Sequence, residues 1–174
     1  RPARDDSVGR YAADAERAWG WLEWQRDLGR QSGWPLGTLL PYGEPRDAEL
    51  VRAQLVGNDA WALAGYRAAA RLLDAAGHGD RAREVERSRD RYRADFLAAL
   101  RRTGRPDVPP AWQGGGRDWG NLAVHHPCGA LPADEPRVPA LARRIWAAAG
   151  PARLATYGSP DSLQSYVGAD LGTW

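Results

Sequence analysis

The sequence predicts an all-α fold built from helical hairpins, and three observations support this class. Apolar residues recur at steps of three and four over long segments, as amphipathic helices require. Glycine and proline interrupt the chain between those segments, and capping residues mark several helix ends. A chain of 174 residues is long enough for a substantial core. We therefore expect residues 1–174 to form a single helical domain.

The first helix is predicted over residues 8–29, where Tyr11, Ala15, Trp19 and Leu22 form an apolar stripe. A second strip on the same helix predicts that it is covered on two sides; its members are Trp21, Trp24 and Leu28. Residues 34–47 are rich in proline and glycine and are predicted to form a long ordered loop. A short helical or extended piece follows and ends near residue 57.

The central hairpin spans residues 57–100, and the rest of the chain is organised around it. Its first helix is alanine-rich, which suits close packing on several sides. The predicted core stripe consists of Trp61, Gly65, Ala68, Leu72 and Ala75, and it is widened by Ala64, Ala69, Leu73 and Ala76. Gly77 suits a left-handed helix end, and Asp80 caps the second helix. The predicted core face of that second helix consists of Ala82, Val85, Tyr92, Phe96, Ala99 and Leu100. Its other face is charged, so we expect an inner helix followed by an outer one.

Three further helices are predicted after the hairpin. A brief helix within residues 117–126 follows a loop that contains three consecutive glycines. A longer helix covers residues 136–149 and is ended by Gly150 and Pro151, and Ser159 caps a last helix that runs to Trp174. The predicted helices alternate between outer and inner positions, and a long loop precedes each inner helix. This order gathers the long loops at one pole of the fold.

Composition and charge exclude several classes of partner. All 24 basic residues are arginine and the net charge is +2, with arginine and acid interleaved on the outer helix, which argues against nucleic-acid binding. No segment approaches the roughly 18 apolar residues of a membrane span. Cys128 is the single cysteine, so an intrachain disulfide is excluded. The chain does not begin with methionine, so we expect it to start after its natural beginning; secretion is left open.

The long loops and the inner-helix starts collect aromatic, amide and carboxyl groups that suit a carbohydrate site. Indole and phenol rings stack on sugar rings, amides bond hydroxyls, and two carboxyl groups can act as general acid and base. The candidate carboxyls are Asp59, Asp118 and Glu44. The candidate substrate-binding residues are Tyr42, Asn58, Trp61, Trp112, Gln113, Trp119, Asn121, Tyr157 and Asp161.

Each of these residues also has a structural interpretation. Asn58, Asp118 and Asp161 stand where a polar side chain caps a helix, and Trp61 and Trp119 can be core residues. Glu44 can be a solvated loop charge. Asp59 is harder to explain as a cap, because Asn58 precedes it and one cap suffices.

Metal ions and cofactors are not expected. His125 and His126 are adjacent, so on a helix they point in different directions and do not grip one metal as a pair four residues apart does. The glycines at residues 114–116 lack the strand and the lysine of a phosphate-binding loop.

Four segments resemble the six-hairpin glycosidases: LLPYGE at 39–44, GNDAWALAGYRAAARLLDAAG at 57–77, RDWGNL at 117–122 and TYGSPDSLQSYVGADLGTW at 156–174. The resemblance implies part of an (α/α)6 toroid in a bacterial enzyme that hydrolyses a polysaccharide or glycan. It also implies catalytic carboxylates at the pole where inner helices begin, with Asp59, Asp118 and Glu44 as candidates in that order and no assignment of acid and base.

The chain provides only about half of such a toroid, so we expect a fragment of a larger catalytic domain. Open apolar edges would then favour association with another copy or with the rest of the domain.

Two other functions stay open at this point. One is a polysaccharide lyase on the same fold, in which a tyrosine or histidine removes a proton; His125, His126 and Tyr157 are its candidates. The other is a non-catalytic helical module that binds glycans or proteins through the tryptophan-rich loops.

Overall fold

The structure, a computed structural model, describes residues 6–33, 36–42, 53–114, 118 and 120–154, with side chains described between residues 8 and 147. Every regular element in these ranges is helical, which confirms the all-α class. The helices are α1 (Asp6–Gln31), α2 (Val56–Ala75), α3 (Gly79–Arg102), a 3-10 helix (Asn121–Val124) and α4 (Arg137–Leu154).

The chain divides into two compact units. The first unit comprises Arg1–Pro41 with Ala62–Leu97, and the second comprises Tyr42–Trp61 with Ala98–Trp174. α2 and α3 each contribute residues to both units. The single-domain organisation stays a prediction.

The first unit contains α1 and most of α2 and α3. Arg81 pairs with Glu16 at 2.5 Å, and Arg26 pairs with Asp95 at 3.0 Å, so α1 and α3 run in the same direction. Tyr66 of α2 donates a hydrogen bond to Glu23 of α1 at 2.5 Å. These side-chain contacts link the three helices.

Aromatic and aliphatic side chains fill the core of this unit. The rings of Tyr66 and Tyr92 meet edge to face, with centroids 5.6 Å apart. The core face predicted for α3 is confirmed, because all of its members are buried: Ala82, Val85, Tyr92 and Phe96 in the first unit, and Ala99 and Leu100 in the second.

The core stripe predicted for α2 is largely wrong. Gly65, Ala68 and Ala75 are exposed, and Trp61 keeps 51% of its surface in contact with solvent. Two residues predicted to widen the stripe, Ala69 and Leu73, are buried, and the other buried positions are Ala62, Leu63, Tyr66 and Ala70. An alanine- and glycine-rich helix is apolar almost all round, so its periodicity does not single out one face.

Two of the three residues in the second strip predicted for α1 are also exposed, and the third, Leu28, is half-buried. Trp21 and Trp24 are 56% and 53% exposed. On another face of α1, Ala15, Ala18 and Leu22 join residues of α2 around a groove of about 210 Å³ that is almost entirely apolar.

Two predicted helix ends have different outcomes. Gly77 adopts a left-handed conformation (φ 87°), and His78 N–H donates to the Leu73 carbonyl at 2.8 Å, so the predicted end of α2 is confirmed. The predicted end of α4 is wrong, because the helix continues through Gly150 and Pro151 to Leu154. Proline removes one amide donor and disturbs the preceding turn, which a helix can accommodate close to its end.

Other predicted elements are shorter or fall outside the described residues. The brief helix predicted within residues 117–126 is a single 3-10 turn at Asn121–Val124. The last helix, from residue 159, and most of the piece after residue 47 lie outside the described residues. Among the described helices, none is long and apolar enough to cross a membrane.

Candidate functional site

Asp59 lies in the first turn of α2 and is completely buried. The indole Nε1–H of Trp112 donates a hydrogen bond to Asp59 Oδ2 at 2.6 Å, across 53 residues of sequence. Trp112 is itself only 8% exposed. A helix N-terminus favours a negative charge, and the indole donor supplies a charge-assisted hydrogen bond. The structure therefore joins the first candidate carboxyl to a candidate aromatic residue.

A short backbone pairing brings the Trp112 loop to the start of α2. Leu55 and Ala111 form an isolated antiparallel bridge. Trp112 N–H donates to the Gln54 carbonyl at 3.0 Å, and Val56 N–H donates to the Pro110 carbonyl at 3.1 Å. The bridge sets the position of Trp112 relative to Asp59.

Gln113 reinforces this pairing through its side-chain amide. Its Nε2 donates to Gln54 Oε1 at 2.9 Å, and its Oε1 accepts from the Gln54 backbone N–H at 3.2 Å. Gln54 is fully buried, whereas Gln113 is exposed. The amide predicted to bind substrate thus also holds the loop.

Gly57 lies against the backbone of Gly120. A β-carbon placed on Gly57 would lie 2.8 Å from the Gly120 carbonyl carbon, which is closer than real contacts allow. Gly120 has a φ of 70°, a conformation that favours glycine. These two glycines let the start of α2 approach the chain that precedes the 3-10 helix.

Gly57→Ala is therefore expected to destabilise the protein by about 1–3 kcal/mol, because two backbone segments must separate. Gly65→Ala is the matched comparison: it lies in the same helix, a β-carbon there would meet nothing within 4 Å, and alanine is the better helix former. We expect a gain of about 0.5–1 kcal/mol from this second change. Urea unfolding of both variants measures the difference, and equal midpoints would contradict the close approach at Gly57.

Asp118 belongs to a second polar cluster in the same unit. Arg144 of α4 donates to both of its carboxylate oxygens at 2.5 Å, and Asn121 Nδ2 donates to Oδ1 at 2.8 Å. Asn121 is 1% exposed and also donates to the Val108 carbonyl at 3.1 Å. A forked guanidinium on a carboxylate is a strong and geometrically specific interaction.

The same arginine also reaches Asp107. Arg144 Nε bonds Asp107 Oδ2, while Arg105 Nε bonds Oδ1 at 2.8 Å. Burial acts to raise the pKa of Asp107, but the hydrogen bonds from Arg105 and Arg144 outweigh it and hold the pKa below its ordinary value. The hydrogen bond to Asp118 raises the pKa of Arg144 despite partial burial, so this guanidinium stays charged.

This depressed pKa predicts a pH dependence of stability. A carboxyl whose folded pKa lies below its unfolded value contributes stability that is present above the unfolded pKa and lost as pH falls through the folded pKa. The free energy of unfolding of the parent protein should exceed that of Asp107→Asn by a constant amount between about pH 5 and 7. This difference in unfolding free energy should shrink as the pH falls below 3.8, the ordinary pKa of an aspartic acid. Urea titrations across pH measure this, and a difference independent of pH would contradict it.

The candidate residues with described side chains all fall within the second unit. Asp59 and Trp112 are in contact, and so are Asp118 and Asn121. The other described candidates are Tyr42, half-buried, and Asn58, Trp61 and Gln113, which are exposed. Glu44, Trp119, Tyr157 and Asp161 lie outside the described residues.

Two structural interpretations of these residues have clear outcomes. Trp61 is not a core residue, because half of it is exposed. The helix-cap interpretation of Asp118 is wrong, because Gly120 is the N-cap of the 3-10 helix and no side chain caps that helix. Asp118 bonds Arg144 and Asn121 instead.

Sequence reasoning missed Gln54, Asp107 and Arg144. The three side chains lie on a short extended piece, in a loop and on the charged side of α4, and nothing in their local spacing relates them to Asp59 or Asp118. Only pairing between distant segments brings them into the site.

Among the residues that the structure describes, no group of three or more histidine, cysteine or carboxylate side chains is arranged to hold a metal ion. The chain matches no protein-family model, no curated protein and no solved structure. A function for this chain is therefore inferred from the geometry of the site.

Proposed function

We propose that this chain is part of a glycoside hydrolase that acts on a polysaccharide or glycan, with Asp59 as the leading catalytic carboxyl. One observation carries the proposal: a buried carboxyl at the start of α2 accepts the Trp112 indole N–H, while Asn58 and Trp61 beside it in sequence are exposed. A carboxyl group, an exposed indole and exposed amides are groups that binding and cleaving a sugar chain require.

The environment of Asp59 suits general acid–base chemistry. The carboxyl is completely buried and accepts a hydrogen bond from the Trp112 indole N–H at 2.6 Å. The Trp112 indole N–H holds the Asp59 carboxyl in one orientation, and a general acid or base must be held in a defined position. Trp61 offers an aromatic face on which a sugar ring can stack.

The remaining carboxyls are candidates for the second role. Glycoside hydrolysis uses two carboxyl groups, one on each side of the scissile bond. Asp118 already bonds Arg144 and Asn121, which supports ranking Asp59 ahead of it. Glu44 is the third candidate and lies outside the described residues.

A second candidate function is supported by the same burial. Asp59 is fully enclosed and Asp118 is engaged by Arg144, so neither carboxyl is open to a substrate in this conformation. Trp61 is available. A non-catalytic module that binds glycans through Trp61 and its neighbours needs no accessible carboxyl. A lyase remains an alternative, with His125, His126 and Tyr157 as its candidate bases. Of these, His125 contacts the Leu131 carbonyl through Nδ1 at 3.2 Å.

The deciding experiment measures products and binding together. Reducing-sugar release and near-ultraviolet absorbance are followed over a panel of polysaccharides, using this chain and a longer natural form of the protein. Sugar release without ultraviolet absorbance supports the hydrolase, and an unsaturated absorbing product supports the lyase. Binding to an insoluble polysaccharide that Trp61→Ala abolishes, with no product of either kind, supports the binding module and rejects the hydrolase.

A further inference from the structure

Arg144 joins the two ends of the loop that carries Trp112. The loop leaves α3 after Arg102 and reaches the 3-10 helix at Asn121. Arg144 bonds Asp107 near one end of it and Asp118 near the other, 37 and 26 residues away in sequence. One side chain on α4 thus holds both flanks of the loop, and Trp112 lies between them.

The contacts within the loop transmit this constraint toward Asp59. Val108 follows Asp107, and its carbonyl accepts a hydrogen bond from Asn121, which also bonds Asp118. Pro110 and Trp112 then pair with the backbone at the start of α2. The flank held by Arg144 is therefore only a few residues from the indole that bonds Asp59.

The contacts of Arg144 with Asp107 and Asp118 require an arginine side chain. Nε bonds one carboxylate, and the two terminal nitrogens bond the other as a fork. A lysine ammonium is a single point charge and cannot reproduce two separate planar contacts. Asp107 is 3% exposed, so its charge also depends on these donors for compensation.

We propose that Arg144 is a positioning residue that clamps the loop between Asp107 and Asp118 and thereby fixes the Trp112 indole on Asp59. Its role in turnover rests on the proposed function, whereas its effect on the Trp112–Asp59 hydrogen bond does not. The hydrogen bond can therefore be tested without any substrate.

The test is nuclear magnetic resonance of the ¹⁵N-labelled indole N–H groups, with Trp112 assigned from the signal that Trp112→Phe removes. A proton donated to a carboxylate resonates downfield, so Arg144→Gln should move the Trp112 signal upfield. Trp19 provides an internal reference, because its buried Nε1 has no hydrogen-bond partner in the described structure. Its signal should not move.

Arg143→Gln is the matched control, since it makes the same charge change at an exposed neighbouring position of α4. Its Trp112 signal should equal that of the parent. Arg144→Lys keeps the charge without the fork and should shift the Trp112 signal in the same direction as glutamine. If Arg144→Gln does not fold, as judged by circular dichroism, Asp118→Asn becomes the deciding variant and should shift the same signal.

An unchanged Trp112 signal in a folded Arg144→Gln or Asp118→Asn protein would overturn the proposal. Where the parent protein turns over a polysaccharide, Arg144→Gln should lower kcat on the order of 10- to 100-fold with a smaller change in KM. A parent protein without turnover would count against the hydrolase, and the indole signals would still decide whether the clamp exists.

Discussion

Asp59→Asn is expected to lower turnover on the order of 10²- to 10⁴-fold, the contribution of a positioned general acid or base. Asparagine has the shape of aspartate and its Oδ1 can still accept the Trp112 indole N–H. It cannot exchange the proton that hydrolysis requires. The measurement is kcat on whichever polysaccharide the parent protein degrades.

Measuring the stability of Asp59→Asn shows whether a loss of turnover comes from lost proton transfer or from unfolding. Replacing a charged acceptor by a neutral one should cost about 1 kcal/mol, because hydrogen bonds to charged groups are the stronger ones. Asp74→Asn is the control, since Asp74 is exposed on the same helix. It should leave both turnover and stability unchanged. Full turnover by a folded Asp59→Asn protein would remove Asp59 from the catalytic role.

Arg26→Met is expected to produce the largest loss of stability, about 2–3 kcal/mol. Arg26 is 3% exposed, and its guanidinium bonds the Thr38 carbonyl at 2.9 Å, Asp95 at 3.0 Å and Glu23 at 3.2 Å. It also lies 4.1 Å from the ring centroid of Tyr92. Removing one member of a buried ion pair leaves its partners uncompensated, and the partial exposure of Glu23 and Asp95 reduces that cost.

Arg30→Met is the matched control for this prediction. Arg30 lies one turn further along α1, is exposed and, among the residues that the structure describes, pairs with Asp27 of the same helix. Its loss should change stability by no more than about 0.5 kcal/mol. Urea unfolding of both variants gives the comparison. Similar midpoints for the two variants would show that the buried network around Arg26 contributes no more than a surface ion pair.

Arg26→Lys tests whether geometry or charge matters at this site. Lysine keeps the positive charge but cannot bond Thr38, Asp95 and Glu23 from one planar group. We expect a loss intermediate between those of Arg30→Met and Arg26→Met.

Much of the helical framework was predictable because it depends on local spacing. The core face of α3 is separated from a face rich in arginine and acid, so the periodic pattern identifies the buried side without ambiguity. Gly77 likewise predicts the end of α2, because a left-handed residue is easiest for glycine. By contrast, α2 is apolar on most of its circumference, and its buried face follows from where Tyr66 meets Glu23 and Tyr92.

The candidate site was predictable in its residue types more than in its contacts. Asp59 stood out because the sequence predicts Asn58 as the helix cap, although α2 begins earlier, at Val56. Trp112 stood out as an aromatic residue in a long loop. Their hydrogen bond joins positions 53 residues apart, and no local pattern encodes a pairing of that separation.

By itself, the sequence determined that this protein is helical, where most of its described helices begin and which face of α3 is buried, because these properties arise from interactions between residues a few positions apart. Only the tertiary structure decided that Trp61 is exposed, that Trp112 bonds Asp59 and that Arg144 holds Asp107 and Asp118 together. These contacts depend on close packing and on matching donors with acceptors across distant segments, and the free energy of each is set by burial that exists only once the chain has folded.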